Sequence, residues 1–345
     1  MAKRPVGDLS LSMKKAFKKM KGNDTFQLGD DFSPLVLDDV LSTGLPNLDK
    51  ILAVASDGRW GVPVGKIMSI KSKPSVGKTT FLLRLADQCI ARGGAVYFIE
   101  SEHALDITYA RKLSKNVDSF LITQPETLEE AFESAKVAVT LCEKARSVDK
   151  SDAPFLIIMD SFSGFTTGAE LSGSFGTSGK ALGEHARIAS LACRKLTGPI
   201  ARAKATLILS HQVKSRLGVF WGNNETNIGG DAFNYHDSIC LNFYRGMTIK
   251  DKKKEVLGHY GTAKTTKNKL FTPHKSVKFK IINGNGFNRS FAILDFLILH
   301  RHVIKKGAWF HFKADRSLKW QGADGFVAFM KTSGEAKKLT KGYLK

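Results

Sequence analysis

The residues best placed to do chemistry stand between an apolar run at Lys66–Lys71 and a second at Phe81-Leu82-Leu83: Ser72-Lys73-Pro74-Ser75-Val76-Gly77-Lys78-Thr79-Thr80. A strand, a tight loop and a helix in that order aim backbone N–H groups at an anion, so Ser75, Val76, Gly77, Lys78, Thr79 and Thr80 predict a phosphate cradle. Lys78 would neutralise the β and γ oxygens, and Thr79 would bind Mg²⁺. Ser72 stands where such a loop usually has its first glycine, so a residue with a Cβ must make that turn. Further along, Phe155-Leu156-Ile157-Ile158-Met159-Asp160-Ser161 is an apolar strand ending in an acid, which predicts that Asp160 holds the water shell of the same metal. Taken singly, Gly-Lys-Thr is also an ordinary helix start, and Asp160 beside Ser161 is also a helix cap. The two together favour a nucleoside triphosphate site.

Positioning those groups requires a sheet covered by helices. Short apolar strands at Lys66–Lys71, Ala95–Ile99, Ser119–Thr123, Phe155–Met159 and Thr206–Ser210 alternate with helical stretches, best at Glu126–Lys144 and Gly183–Lys195. That alternation predicts an α/β fold with a mostly parallel sheet over residues 39–283. Before it, Leu9, Met13, Ala16, Phe17 and Met20 recur at helical spacing, giving an amphipathic helix too short and basic to stand alone, within an arm over residues 1–38. After Asn283-Gly284-Asn285-Gly286 the chain becomes rich in lysine and aromatics, which predicts a small basic C-terminal α/β domain over 284–345.

The chain has 345 residues and a formal net charge of +21. Residues 1–21 carry seven Lys/Arg against one acid, 245–280 eleven against two, and 301–345 eleven against three, which leaves the rest near neutrality. Such a distribution suits a polyanion partner, because cations gain affinity by releasing counterions from phosphates, although solvated basic faces would look the same. Cys89, Cys142, Cys193 and Cys240 are scattered without a paired motif, so packing thiols are expected rather than zinc ligands or disulfides. Apolar runs such as Phe155–Met159 are too short to cross a bilayer and no signal-peptide core follows the first lysines, so no membrane partner and an intracellular, cytoplasmic location are expected.

The stretch Val96-Tyr97-Phe98-Ile99-Glu100-Ser101-Glu102-His103-Ala104-Leu105-Asp106, continued by Tyr109-Ala110-Arg111-Lys112-Leu113, resembles the strand-end motif of the RecA recombinases. The resemblance runs from Leu41-Ser42-Thr43-Gly44 to Gly307-Ala308-Trp309-Phe310. It implies ATP and Mg²⁺ as cofactors, Glu102 as the carboxylate that activates the attacking water, and Asp106 and Tyr109 at the adenine. An acid at the C-terminal end of a parallel strand faces the nucleotide crevice, which fits that role for Glu102 independently. Leu207-Ile208-Leu209-Ser210-His211-Gln212 resembles the strand that ends in the family's γ-phosphate sensor, Gln212; His211 beside it is expected to pack. Thr265-Thr266-Lys267-Asn268-Lys269 resembles the segment whose two lysines reach the ATP of the adjacent subunit. Lys267 and Lys269 could equally be outward residues of a basic strand.

Two glycine-rich segments resemble the family's DNA-binding loops, and the alternative for each is a surface loop without a role. Gly168 to Gly183 holds Phe175 and Lys180; Val213 to Asp231 holds Lys214, Arg216, Phe220, Trp221, Gly229 and Gly230. Arg187 and Arg194 join these as candidate DNA contacts. Cations, aromatics and glycines suit a surface that tracks phosphates and stacks on bases. Ser72, the composition of the first loop and a C-terminus ending in lysines depart from typical bacterial members and fit a divergent, phage-type member. The resemblance implies head-to-tail helical filaments on single-stranded DNA that pair it with homologous duplex, with Leu9–Met20 and Thr25-Phe26-Gln27-Leu28 docking on the next subunit. A coating scaffold that uses ATP as an assembly switch is the second reading.

Overall fold

The computed structural model describes residues 37–103, 105–149, 151–173, 183–215, 225–227 and 232–344. The expected N-terminal helix and strand lie outside those ranges, as do Lys180, Arg216, Phe220, Trp221, Gly229 and Gly230. A small antiparallel sheet comes first, from β1 (Val40–Leu41), β2 (Ala53–Val54) and β3 (Trp60–Pro63) with helix α1 (Pro46–Leu52).

The large sheet is built from β4 (Ile67–Ser72), β5 (Ala95–Glu100), β6 (Leu121–Thr123), β7 (Phe155–Asp160), β8 (Ala205–Ser215), β9 (Glu225–Asn227), β10 (Ile239–Lys250), β11 (Val256–Asn268), β12 (Ser276–Ile282) and β13 (Gly286–Phe287). Helices α2 (Lys78–Ala91), α3 (Ile107–Leu113), α4 (Leu128–Asp149), α5 (Gly168–Leu171), α6 (Glu184–Arg202) and α7 (Ala232–His236) connect them. The order across the sheet is β13-β12-β11-β10-β4-β8-β7-β5-β6, with β9 paired to β8. From β10 to β6 all neighbours are parallel, and β11, β12 and β13 add an antiparallel flank.

Alternation along these strands explains both covered faces. Met68, Ile70, Phe98, Ile158 and Ile208 pack toward α2 through Phe81, Leu82 and Leu85. Ile67, Ile99, Ile157, Met159, Leu207 and Leu209 pack toward α4 and α6 through Phe132, Ala135, Ile188 and Leu196. Three boundaries differ from the sequence expectation. Val117–Ser119 is a 3-10 turn, so the strand there begins only at Leu121, and it forms an edge with Leu121 63% exposed. Helix α4 starts at Leu128 because Thr127 caps it: the Glu130 N–H donates to the Thr127 hydroxyl at 3.2 Å while the Glu130 carboxylate accepts from the Thr127 N–H. Helix α6 runs past Lys195 and through Pro199 to Arg202.

Beyond the large sheet, α8 (Arg289–Leu299), β14 (Val303–Lys306), β15 (Trp309–Phe312), β16 (Lys319–Gln321), α9 (Gly322–Thr332) and α10 (Gly334–Tyr343) enclose their own core around Trp320, Phe310, Phe312 and Phe326. Asn47 donates to Asp295 at 2.8 Å and Lys280 pairs with Asp324 at 2.7 Å, tying this unit to the sheet. Among the described residues no helix is long and apolar enough to cross a membrane. All four cysteines are unpaired, and burial pushes the Cys89 and Cys193 thiols up to about 12, as packing thiols require.

Candidate active site

The phosphate loop closes β4 onto α2, and its backbone explains its residues. Gly77 has φ +107°, so the conformation favours glycine, and a Cβ there would lie 2.4 Å from Ile281 Cδ1, which would have to shift to admit it. Ser75 accepts the left-handed conformation at φ 58°. Ser72 does not lie in that region; it ends the strand, and its hydroxyl donates to the Lys73 carbonyl at 2.7 Å while accepting from Lys78 Nζ at 3.1 Å. The missing first glycine is therefore absorbed without a left-handed turn, and the serine becomes a partner of the lysine. Sequence gave no signal for two supports from the antiparallel flank: the Arg245 guanidinium donates to the Ser75 carbonyl at 2.8 Å and His259 Nε2 to the Val76 carbonyl at 3.3 Å.

Four of the expected polar groups meet above this loop, with Lys78 beside them. The Thr79 hydroxyl donates to Asp160 at 2.6 Å, and Gln212 Nε2 donates to Glu102 at 2.8 Å. Glu102 also accepts from the Ser161 hydroxyl at 3.1 Å. Burial holds the Lys78 ammonium below the ordinary lysine range, opposed by Asp160 and Glu102, and burial raises the Asp160 carboxyl, opposed by Thr79. A cleft of about 270 Å³ opens here, lined by Thr79, Glu100, Glu102, Asp106, Tyr109 and Asp160 among others. Asp106 caps α3, accepting from the Thr108 and Tyr109 N–H groups, so its backbone and side chain are fixed at the cleft wall. Glu100 was not singled out in the sequence. It is buried and accepts from the Glu102 N–H at 3.0 Å and from Gln124 at 2.8 Å, which fixes the backbone that carries Glu102. Two acids spaced by one residue at a strand end were the available signal.

The chain's kinship follows from its length of match as well as from this geometry. A family model described as the RecA N-terminal domain matches residues 8–288. The chain belongs to the RecA family of recombinases. Protein RecA of Gluconobacter oxydans (strain 621H) is 37% identical over 302 residues, covering 88% of this chain and 82% of that protein. Protein RecA of Acidiphilium cryptum (strain JF-5) is 39% identical over 293 residues, covering 85% and 80%. RecA kinship makes this a recombination and repair protein that binds ATP and DNA.

Other expected residues of this RecA-family chain lie away from the cleft. Lys267 is the register partner of Cys240, which pairs with Ser69, three strand positions before Ser72. At about 3.3 Å per residue that is roughly 10 Å along the sheet from the loop, so Lys267 and Lys269 do not gather at their own nucleotide site. Arg187 and Arg194 lie exposed on α6, where Arg187 pairs with Glu184 and Arg194 donates to the Ser190 hydroxyl at 2.7 Å. Lys214 lies on β8 beyond Gln212. His211 is buried, its ring 5.1 Å from Phe162 and 5.2 Å from Phe233, and burial drives its pKa down to about 3, so it packs as a neutral ring.

Proposed function

We propose that this chain is an ATP-dependent homologous recombination protein that forms helical filaments on single-stranded DNA and catalyses homologous pairing and strand exchange. The observation that carries this reading is the 2.8 Å contact between Gln212 and Glu102. Gln212 stands on the same strand as Lys214 and the segment running to Gly229 and Gly230, so one side chain joins the water-activating acid to the segment expected on DNA. The residues fit ATP and Mg²⁺: a left-handed Gly77 that turns the loop into the start of α2, a buried lysine, and a hydroxyl and carboxylate already in contact.

Lys78 and the N–H groups of residues 75–80 hold phosphate oxygens, Thr79 and Asp160 hold the metal, and Asp106 and Tyr109 take the adenine. When bound, Mg²⁺ offsets the charge that builds on the phosphates. Glu102 takes the proton of the attacking water, while Gln212 and Ser161 orient its carboxylate. Lys267 and Lys269 serve the nucleotide of the adjacent subunit, consistent with their distance from their own loop. Lys180, Arg187, Arg194, Lys214, Arg216, Phe220, Trp221, Gly229 and Gly230 hold the strand without reading its sequence.

Residues 1–38 act as the polymerisation arm, 39–283 as the ATPase core and 284–345 as a basic accessory unit. The arm's landing place is a groove of about 670 Å³ on the far side from the phosphate loop, lined by Tyr97, Leu121, Val137, Leu141 and Phe155, with β6 as the open sheet edge beside it. Head-to-tail contacts of this kind do not close and so build a helix. Replacing Gln212 tests the carrying observation. Gln212→Ala should bind ATP and DNA but lose most of the stimulation of ATPase by DNA; undiminished stimulation would remove the proposed link.

A further inference from the structure

A phosphate loop works by turning consecutive backbone N–H groups toward the anion, which leaves carbonyls pointing outward and in need of donors. In this chain Ser75 and Gly77 both have positive φ while Val76 between them does not, the alternation of hand that turns successive N–H groups to one side. The carbonyls of Ser75 and Val76 find their donors far away in sequence. The Arg245 guanidinium on β10 donates to Ser75 at 2.8 Å, and His259 Nε2 on β11 donates to Val76 at 3.3 Å. Burial holds the His259 ring below the ordinary histidine range, opposed by the Val76 bond, so near neutral pH the ring is uncharged and gives its one N–H to that carbonyl.

One face of the antiparallel flank is shaped to make these contacts. Arg245 lies in register with Gly261, Gly261 with Phe279, and His259 with Ile281, so the five residues share a face across β10, β11 and β12. Gly261 leaves room for the Phe279 ring, since a Cβ there would lie 2.1 Å from Phe279 Cζ. That ring stands edge-on to the buried His259 imidazole, with centroids 6.3 Å apart, and limits how the imidazole can turn. Ile281 packs beside Gly77. Loop residues 75, 76 and 77 are thus each met by one side chain of this face: Arg245, His259 and Ile281.

We propose that Arg245 and His259 are positioning residues for ATP: by occupying the Ser75 and Val76 carbonyls they hold the loop with its N–H groups turned inward before the phosphates arrive. This rests on the reading that residues 75–80 hold those phosphates. Without the two donors the loop keeps its sequence but loses its fixed turn, and nucleotide binding must then include the cost of ordering it.

The test is nucleotide binding and DNA-stimulated ATPase of the full chain carrying Arg245→Met or His259→Leu, which keep apolar bulk and lose the donor. Each should weaken binding of a fluorescent ATP analogue about tenfold, the scale of one hydrogen bond lost from a positioned group. KM for ATP should rise by a similar factor with kcat at saturating ATP little changed, because the loop holds the phosphates in ground and transition states alike. Arg245→Lys and His259→Gln restore a donor and should regain most of the affinity, which a role in packing alone would not produce. Lys78→Ala is titrated alongside. Binding as tight as wild type by either donor-less variant, while Lys78→Ala binds nothing, overturns the role of that residue and leaves the phosphate loop standing. A loss that the donor-restoring variant does not regain overturns it equally. Should His259→Leu fail to fold, Arg245→Met and Arg245→Lys, at an exposed position, decide alone. Full binding by Lys78→Ala removes the phosphate-loop reading and the proposal with it.

Discussion

In the proposed reading Glu102 and Lys78 have separate tasks, and their substitutions should separate accordingly. Lys78→Ala removes the buried cation proposed to hold the phosphates and should abolish nucleotide binding, read with a fluorescent ATP analogue. Glu102→Gln keeps shape and the Gln212 contact region but cannot take a proton, so ATP and DNA binding should persist while hydrolysis falls by about a hundredfold or more. Hydrolysis by Glu102→Gln at the wild-type rate would remove it as the base. Gly77 offers a test of local packing. Gly77→Ala places a Cβ 2.4 Å from Ile281 Cδ1 at a φ of +107°, which should cost about 1–3 kcal/mol, and Ile281→Val should recover part of that in a double-mutant cycle of urea unfolding. Additive effects would mean that backbone strain, not the contact, dominates.

At the level of elements, β4, β8 and β10 share a buried polar layer whose titrating groups work against each other. His211 has a native pKa of about 3 against 6.5 unfolded, so the unfolded chain takes the proton first and stability falls as pH drops below 6.5. Asp237 has a native pKa of about 7 against 3.8, so the native chain takes the proton first and stability rises as pH drops through 7. Each slope reaches at most about 1.4 kcal/mol per pH unit, and between pH 6.5 and 4 they oppose. His211→Asn should therefore make unfolding free energy rise from pH 7 to pH 5 relative to wild type, measured by urea titration at each pH. An unchanged difference between the two pH values would mean His211 does not carry that linkage.

This layer also marks what the sequence could not reveal. The phosphate loop, Asp160, Glu102 and Gln212 were legible because each sits at the end of a contiguous apolar strand, and parallel strands bring their ends to one edge. The Arg245 support of Ser75 joins residues 170 positions apart, and Asp237 gains meaning only once β4 lies against β10. Neither has a local pattern. The strand near Ser119 was misjudged for a related reason: Leu121 and Ile122 look like core residues but form an exposed edge. The shift of Ser72 from expected obstacle to partner of Lys78 required its backbone conformation, which composition does not encode.

For the whole molecule, the proposed properties are assembly and DNA pairing. Leu141 is 59% exposed in the apolar groove beside β6, where no described segment of its own chain covers it. Leu141→Asp should leave melting temperature and nucleotide binding unaltered while abolishing filaments in electron micrographs, as should removal of residues 1–36; filaments of normal length in either case would place the subunit contact elsewhere. The proposed filaments would act by pairing the bound strand with homologous duplex. The direct measurement is strand exchange between a circular single strand and linear duplex, homologous or heterologous, with and without ATP and Mg²⁺. The account predicts joint molecules and displaced strand only with homologous duplex and only with ATP and Mg²⁺ present. ATP-dependent coating of the single strand with no product from homologous duplex would contradict it and leave an ATP-switched scaffold in its place.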